Sequence, residues 1–163
     1  MNSYSNKQQS GVVLVISLIL LLLLTILGTT AMQVNGLEEK MAGNSRDQNI
    51  AFQAAESTLR EAETFILNNP TDIYLGANGL LGKDSTNPIN VEPSNFFTYS
   101  WAANNSQQGT NPNNTFVLAS NPRYVIKQVS QNGTKTYFRI TARAVGRSAG
   151  TQIILQEYFV RNN

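Results

Sequence analysis

Hydrophobic and polar positions divide this chain into three stretches with different rhythms. In residues 8–37 there is no charged side chain, and between Leu14 and Leu27 eleven positions are Leu or Ile. The densest part is apolar on every face. As a helix of about 20 residues it covers ~30 Å, the hydrocarbon thickness of a bilayer. Residues 37–67 keep a helical period but become amphipathic. Phe52, Ala55, Leu59, Ala62 and Ile66 recur at spacings of three and four and make one stripe, while Glu56 and Arg60 form a favourable i,i+4 pair. Asn68-Asn69-Pro70 predicts the end, because proline cannot continue a helix and disfavours the α region for the residue before it. One helix over residues 12–69 would be roughly 85 Å long. Gly28, Gly36 and Gly43 interrupt it, each costing up to about 1 kcal/mol relative to Ala. They permit either bending or close helix contact.

The third rhythm is that of strands. Residues 115–119, 123–129, 136–145 and 151–160 are rich in β-branched and aromatic residues. Asn132-Gly133 predicts a tight hairpin between the second and third of these. In the third, Phe138, Ile140, Ala142 and Ala144 alternate with Tyr137, Arg139, Thr141 and Arg143, the pattern of a strand with one buried face. The predicted architecture is an α+β head, an antiparallel sheet packed on the second half of the long helix. Residues 70–115, rich in Asn, Gly, Ser and Pro, read as a connecting loop, pinned by Ile73-Tyr74-Leu75 and by the aromatic run from Phe96 to Trp101.

Composition removes whole classes of chemistry. The 163 residues include no cysteine and no histidine, which rules out disulfides, thiolate and imidazole metal ligands, and Cys or Ser-His-Asp catalysis. Beyond the helix the carboxylates are Asp72, Asp84, Glu92 and Glu157, in no spacing that suggests catalysis. Asp84 and Asn87 lack the glycine and glutamate of a calcium loop. No catalytic, cofactor-binding or metal residue is expected, and no enzyme. Residues 113–115 and 132–134 match the glycosylation tripeptide, which is common by chance. Charge is shared unevenly: residues 37–69 carry six acidic and three basic side chains, and residues 98–163 carry seven basic ones against Glu157 alone. An acidic helix and a basic sheet would attract one another and neighbouring molecules. A sharper alternative is that Arg139 and Arg143, beside Tyr137, form an outward stripe for an acidic partner or DNA phosphate. No base-reading motif accompanies it, so nucleic acid is not the expected partner.

The order of features at the N-terminus narrows the class. Lys7 precedes the apolar run and Glu38, Glu39 and Lys40 follow it, so the positive-inside rule places the N-terminus in the cytoplasm. A secretory signal has a shorter core and a small-x-small site after it. Here Lys7-Gln8-Gln9-Ser10-Gly11 leads directly into Val12-Val13-Leu14-Val15-Ile16. That arrangement resembles the processing site of type IV pilins and pseudopilins. The likeness continues through Leu37-Glu38-Glu39-Lys40-Met41-Ala42-Gly43-Asn44, Arg46-Asp47-Gln48-Asn49 and Ala51-Phe52-Gln53-Ala54-Ala55-Glu56, which look like the N-terminal half of PilX-type minor pilins.

The resemblance implies cleavage by the prepilin peptidase between Gly11 and Val12, with N-methylation of Val12. It implies a leader over residues 1–11, a transmembrane half over 12–34, an amphipathic half over 35–69 and a head over 70–163. The implied protein is an inner-membrane, single-pass minor pilin with a periplasmic head, later part of the pilus on the cell surface. It would take part in assembly or initiation within a tip complex, without cofactors. Other minor pilins, the major pilin, a tip adhesin and the inner-membrane assembly platform would be its partners. A type II secretion pseudopilin and a DNA-uptake pilin are the alternatives. One position departs from the family pattern: the glutamate usual at the fifth residue after the cut is Ile16 here.

Overall fold

The computed structural model describes residues 10–69, 74–111 and 117–162. The expected leader up to Gln9, the sequon at residues 113–115, and Asp72 and Ile73 lie outside them. The long helix, α1, is Ser10–Asn68, within a residue of the end that Asn68-Asn69-Pro70 predicts. The chain divides into two units, residues 1–44 and 45–163. The described part of the first is helix alone.

The second unit is a helix on a sheet. Strands β1 (Leu80–Leu81), β2 (Gln107–Gln108), β3 (Arg123–Asn132), β4 (Lys135–Val145) and β5 (Gln152–Asn162) follow α1. The three long strands form the expected antiparallel meander in the order β3-β4-β5, with Ile126 opposite Ile140 and Ile140 opposite Glu157. The tight hairpin expected at Asn132-Gly133 forms one residue further on: Asn132 pairs with Lys135 at the end of β3, and Gly133, at φ 55°, is the first of the two turn residues, where a type II′ turn takes glycine. Two short strands make the sheet mixed where an all-antiparallel one was expected. β1 runs parallel to β3 and β2 antiparallel to it, both from the stretch read as loop. The strand expected at residues 115–119 does not form over residues 117–119. There, the Ala119 N–H donates to Gly146 O at 2.7 Å, and Pro122 follows at once.

The core lies between α1 and one face of the sheet. Leu59, Ala62 and Ile66 pack with Tyr124, Ile126, Phe138, Ile140 and Ala142, and a smaller group joins Ala54 and Ala55 to Ala144. Phe52, counted in the helical stripe from its spacing, is 46% exposed, while Ala51 is fully buried. The stripe therefore turns slightly the other way and is lined by small side chains over its first two turns, which lets the helix sit close to the sheet.

Distant parts of this unit are tied to the helix by polar bonds. Asp47 accepts from the backbone N–H groups of Arg147 and Ser148, at 2.5 and 3.2 Å. A Cβ on Gly146 would lie 2.5 Å from that carboxylate, so only glycine lets the β4–β5 turn approach it. Glu61 accepts from the N–H and hydroxyl of Thr110. At the C-terminal end of α1, where the last turn has no basic residue of its own, Arg161 of β5 donates to Ile66 O and Asn69 O at 2.8 and 2.5 Å. A cation from the sheet thus satisfies carbonyls that a helix end leaves unpaired.

Candidate functional surfaces

In the first unit the candidate surface is a helix whose large apolar side chains are exposed from Val12 to Leu27. An 18-residue window of α1 has a mean hydropathy of 3.0 and none of it is buried. The hydroxyls in this region do not break the pattern, because each turns back on its own helix. Ser17 donates to Val13 O, Thr25 to Leu21 O, and Thr29 and Thr30 to Ile26 O. Their polarity is absorbed within the backbone, which is what hydrocarbon demands. Ile16 is one more exposed aliphatic residue, 52% exposed. Gly11 and Val12 lie in the first turns of the described helix, and a Cβ on Gly11 would meet nothing within 4 Å.

In the head, the sheet face turned away from α1 bears the basic residues, and the structure shows what covers them. The Lys127 ammonium donates to Gly82 O at 2.5 Å and to Asn90 O at 2.7 Å. Arg123 donates to the Ser106 hydroxyl and carbonyl, both at 2.5 Å. Arg139 is ion-paired with Glu92 and also donates to the Tyr158 hydroxyl. The Arg143 guanidinium lies over the Trp101 ring, 5.9 Å from its centroid. Four cations on two neighbouring strands therefore hold one segment, residues 82–106, across the sheet.

The expected outward stripe of Tyr137, Arg139 and Arg143 is accordingly not open. All three are half-buried, and the acidic partner of Arg139 is the chain's own Glu92. Burial, and then Arg123 directly across the ladder, push the Arg143 pKa down; an arginine stays charged regardless. Burial likewise pushes the Lys127 ammonium down, against a small upward pull from Asp84. Lys127 and Arg123 join the two arginines of the expected stripe on this face. Their signal was parity: residues 123 and 127 share a face of β3 as 139 and 143 share a face of β4, beside a long segment rich in carbonyl groups.

That segment carries its own order. Asn90 is buried and its side-chain oxygen accepts from Gly82 N–H at 2.7 Å. Gly79, at φ +77°, runs so close to Ser106 that a Cβ would lie 2.7 Å from its Cα. Phe96, Tyr99 and Trp101 pack mutually with ring centroids 5.3–5.8 Å apart, and the Tyr99 hydroxyl donates to Asn105 O. Phe97 points out, 67% exposed. Among the described residues no group of three or more acidic side chains could hold a metal ion.

Comparison with known proteins adds two matches. Residues 10–60 match the family model described as PilX N-terminal, and residues 76–161 match the one described as type IV pilus assembly protein PilX C-term. No curated protein and no solved structure matches the chain.

Proposed function

The chain belongs to the PilX family of type IV pilus assembly proteins, and from that premise we propose that this minor pilin sits at or near the filament tip and helps to start the pilus. The observation that carries the proposal is Ile16. A carboxylate in hydrocarbon is costly unless paired. In the family, the glutamate five residues after the cut is thought to meet the terminal ammonium of the subunit added before it. A subunit with no predecessor has no such ammonium, and an aliphatic residue avoids the desolvation. The ammonium of Val12 remains available to a glutamate of the next subunit.

On this reading the prepilin peptidase cuts between Gly11 and Val12, and Val12 becomes methylated. The N-terminus faces the cytoplasm and the head the periplasm until the helix leaves the bilayer for the filament. Other minor pilins, the major pilin, a tip adhesin and the assembly platform are its partners.

Two measurements test this. Mass spectrometry of the membrane-fraction protein should find an N-terminus at Val12 with one methyl group; an intact Met1, or a cut near Ala31, would sink the processing scheme. Gold-labelled antibody against the head should decorate filament ends, and label spread along the shaft would refute the tip position.

A further inference from the structure

The free edge of the sheet is a feature that the proposed role does not use. β5 is the last strand of the order β1-β3-β4-β5 and is eleven residues long. The Gly146 N–H donates to Thr151 O at 2.8 Å, so that pair is hydrogen-bonded, and every second pair along the β4–β5 ladder is bonded likewise. Ile153, Leu155, Glu157, Phe159 and Arg161 then turn their backbone groups toward β4. Ile154, Gln156, Tyr158 and Val160 turn theirs outward, and among the described residues no backbone group outside the strand pairs with them.

Edge strands are ordinarily blunted by proline, bulges, lysines, short length or an inward-pointing charge, and of these β5 carries only the charge, at Glu157 and Arg161. β5 has no proline, glycine or lysine. Its pairing with β4 is unbroken, and among the described residues the one irregularity of the sheet is in β3, between Gln128 and Ser130.

The charge along this edge selects an occupant. Glu157 stands on the core-side face of β5, opposite Ile140, and its Oε1 is buried without a hydrogen-bond partner. After burial, what acts on it is another acid, Glu63 of α1, through its charge and a carboxyl–carboxyl contact. Among the described residues neither acid is in an ion pair. Partly buried Leu155 and Phe159 flank Glu157 on the same face.

A second copy paired over the full length of the strand is disfavoured. Two β5 strands paired antiparallel over their full length, residue 152 against 162, set Glu157 directly opposite Glu157. That is a non-hydrogen-bonded pair, with Cα atoms about 4.5 Å apart, and like charges so placed are destabilising. We propose that β5 is an acceptor strand: an extended segment of a partner protein, uncharged but for one lysine or arginine, adds antiparallel to this edge and sets its cation beside Glu157. Main-chain bonds to residues 154–160 supply the affinity, and the cation fixes the register. The inference concerns the head alone and stands whether or not the subunit occupies a tip.

The test uses the full chain in detergent micelles and a blocked nine-residue peptide. The peptide has valines on the face of a central lysine and threonines on the other. Bound, it should slow hydrogen exchange at the amides of Ile154, Gln156, Tyr158 and Val160. A peptide with glutamate at the centre should bind about two- to fivefold more weakly, the range of a cross-strand charge pair. Glu157→Lys should reverse that preference. The lysine-versus-glutamate comparison on the unaltered chain decides the matter even if the variant fails to fold. No protection with excess lysine peptide, or equal affinity for both peptides, would overturn the proposal. So would protection of the same amides without peptide that grows with chain concentration, since a second copy would then be the occupant.

Discussion

At the scale of single residues, Asp47 and Glu157 show how the same functional group is driven in opposite directions. The hydroxyl of Thr151 and the N–H groups of Arg147 and Ser148 hold the Asp47 carboxyl below its ordinary pKa. Burial, and then the charge of Glu63, push Glu157 up. The linkage signs follow. Asp47 contributes stability that is present above about pH 4 and is lost as pH falls through its depressed folded value. Glu157 contributes stability that is present below its unfolded value and is lost as pH rises through its raised folded one. Asp47→Asn should therefore flatten the acid limb of a stability-versus-pH curve, and Glu157→Gln should remove a decline just above the carboxylate range. Urea midpoints across pH 2–7 check both; an unchanged profile in either variant counts against the corresponding contact. Lys127 is a third case. Replacing it with Met leaves Gly82 O and Asn90 O buried without their donor, which should cost about 2 kcal/mol or more. Hydrogen exchange over residues 82–91 should accelerate, and exchange no faster than in the unaltered chain would show that the segment is held by other bonds.

Among elements, what was legible followed period, and what was missed followed contact. A continuous helix to Asn68, a meander of three strands and the turn at Gly133 can all be read from spacings of 3.6 and 2 and from one turn dipeptide. The fate of Phe52 cannot, because it sits at the border of a stripe that spacing alone permits on either side. Ala51, Ala54 and Ala55 decide the orientation by allowing the helix to lie close to the sheet. Ala55→Leu should overpack this contact and cost about 1–3 kcal/mol. Phe52→Ala should stay within about 0.5 kcal/mol of the unaltered chain. Urea unfolding of the two variants ranks them, and the reverse order would mean that Phe52 belongs to the core. The stretch 70–115 reads as loop in the sequence because it has no period of its own. Its order comes from outside, from carbonyls presented to Lys127 and Arg123 and from Glu92 meeting Arg139. A run of Asn, Gly and Ser does not reveal which of its carbonyls a distant lysine will claim.

For the molecule as a whole, the two units answer to different solvents, and Ile16 lies in the apolar one. The membrane-length part of α1 is apolar on every face and suits hydrocarbon; the head is built around a core of its own and ends, among the described residues, on the edge strand β5. Exchanging Ile16 for glutamate alters only that part of α1. The cost of one acid at depth is about 2.5–3.5 kcal/mol on insertion scales, within the roughly 3–6 kcal/mol that the ten other Leu and Ile between Leu14 and Leu27 contribute. Ile16→Glu should still enter the membrane, which fractionation of the cells will show. In the filament, however, the new carboxylate seeks an ammonium on the side where a tip subunit has no neighbour, so pilus initiation should change while the head folds as before. Filaments per cell, counted by electron microscopy, are the readout. Unchanged piliation with the variant present at normal level in the membrane would mean that Ile16 carries no information about position, and the tip assignment would lose its support.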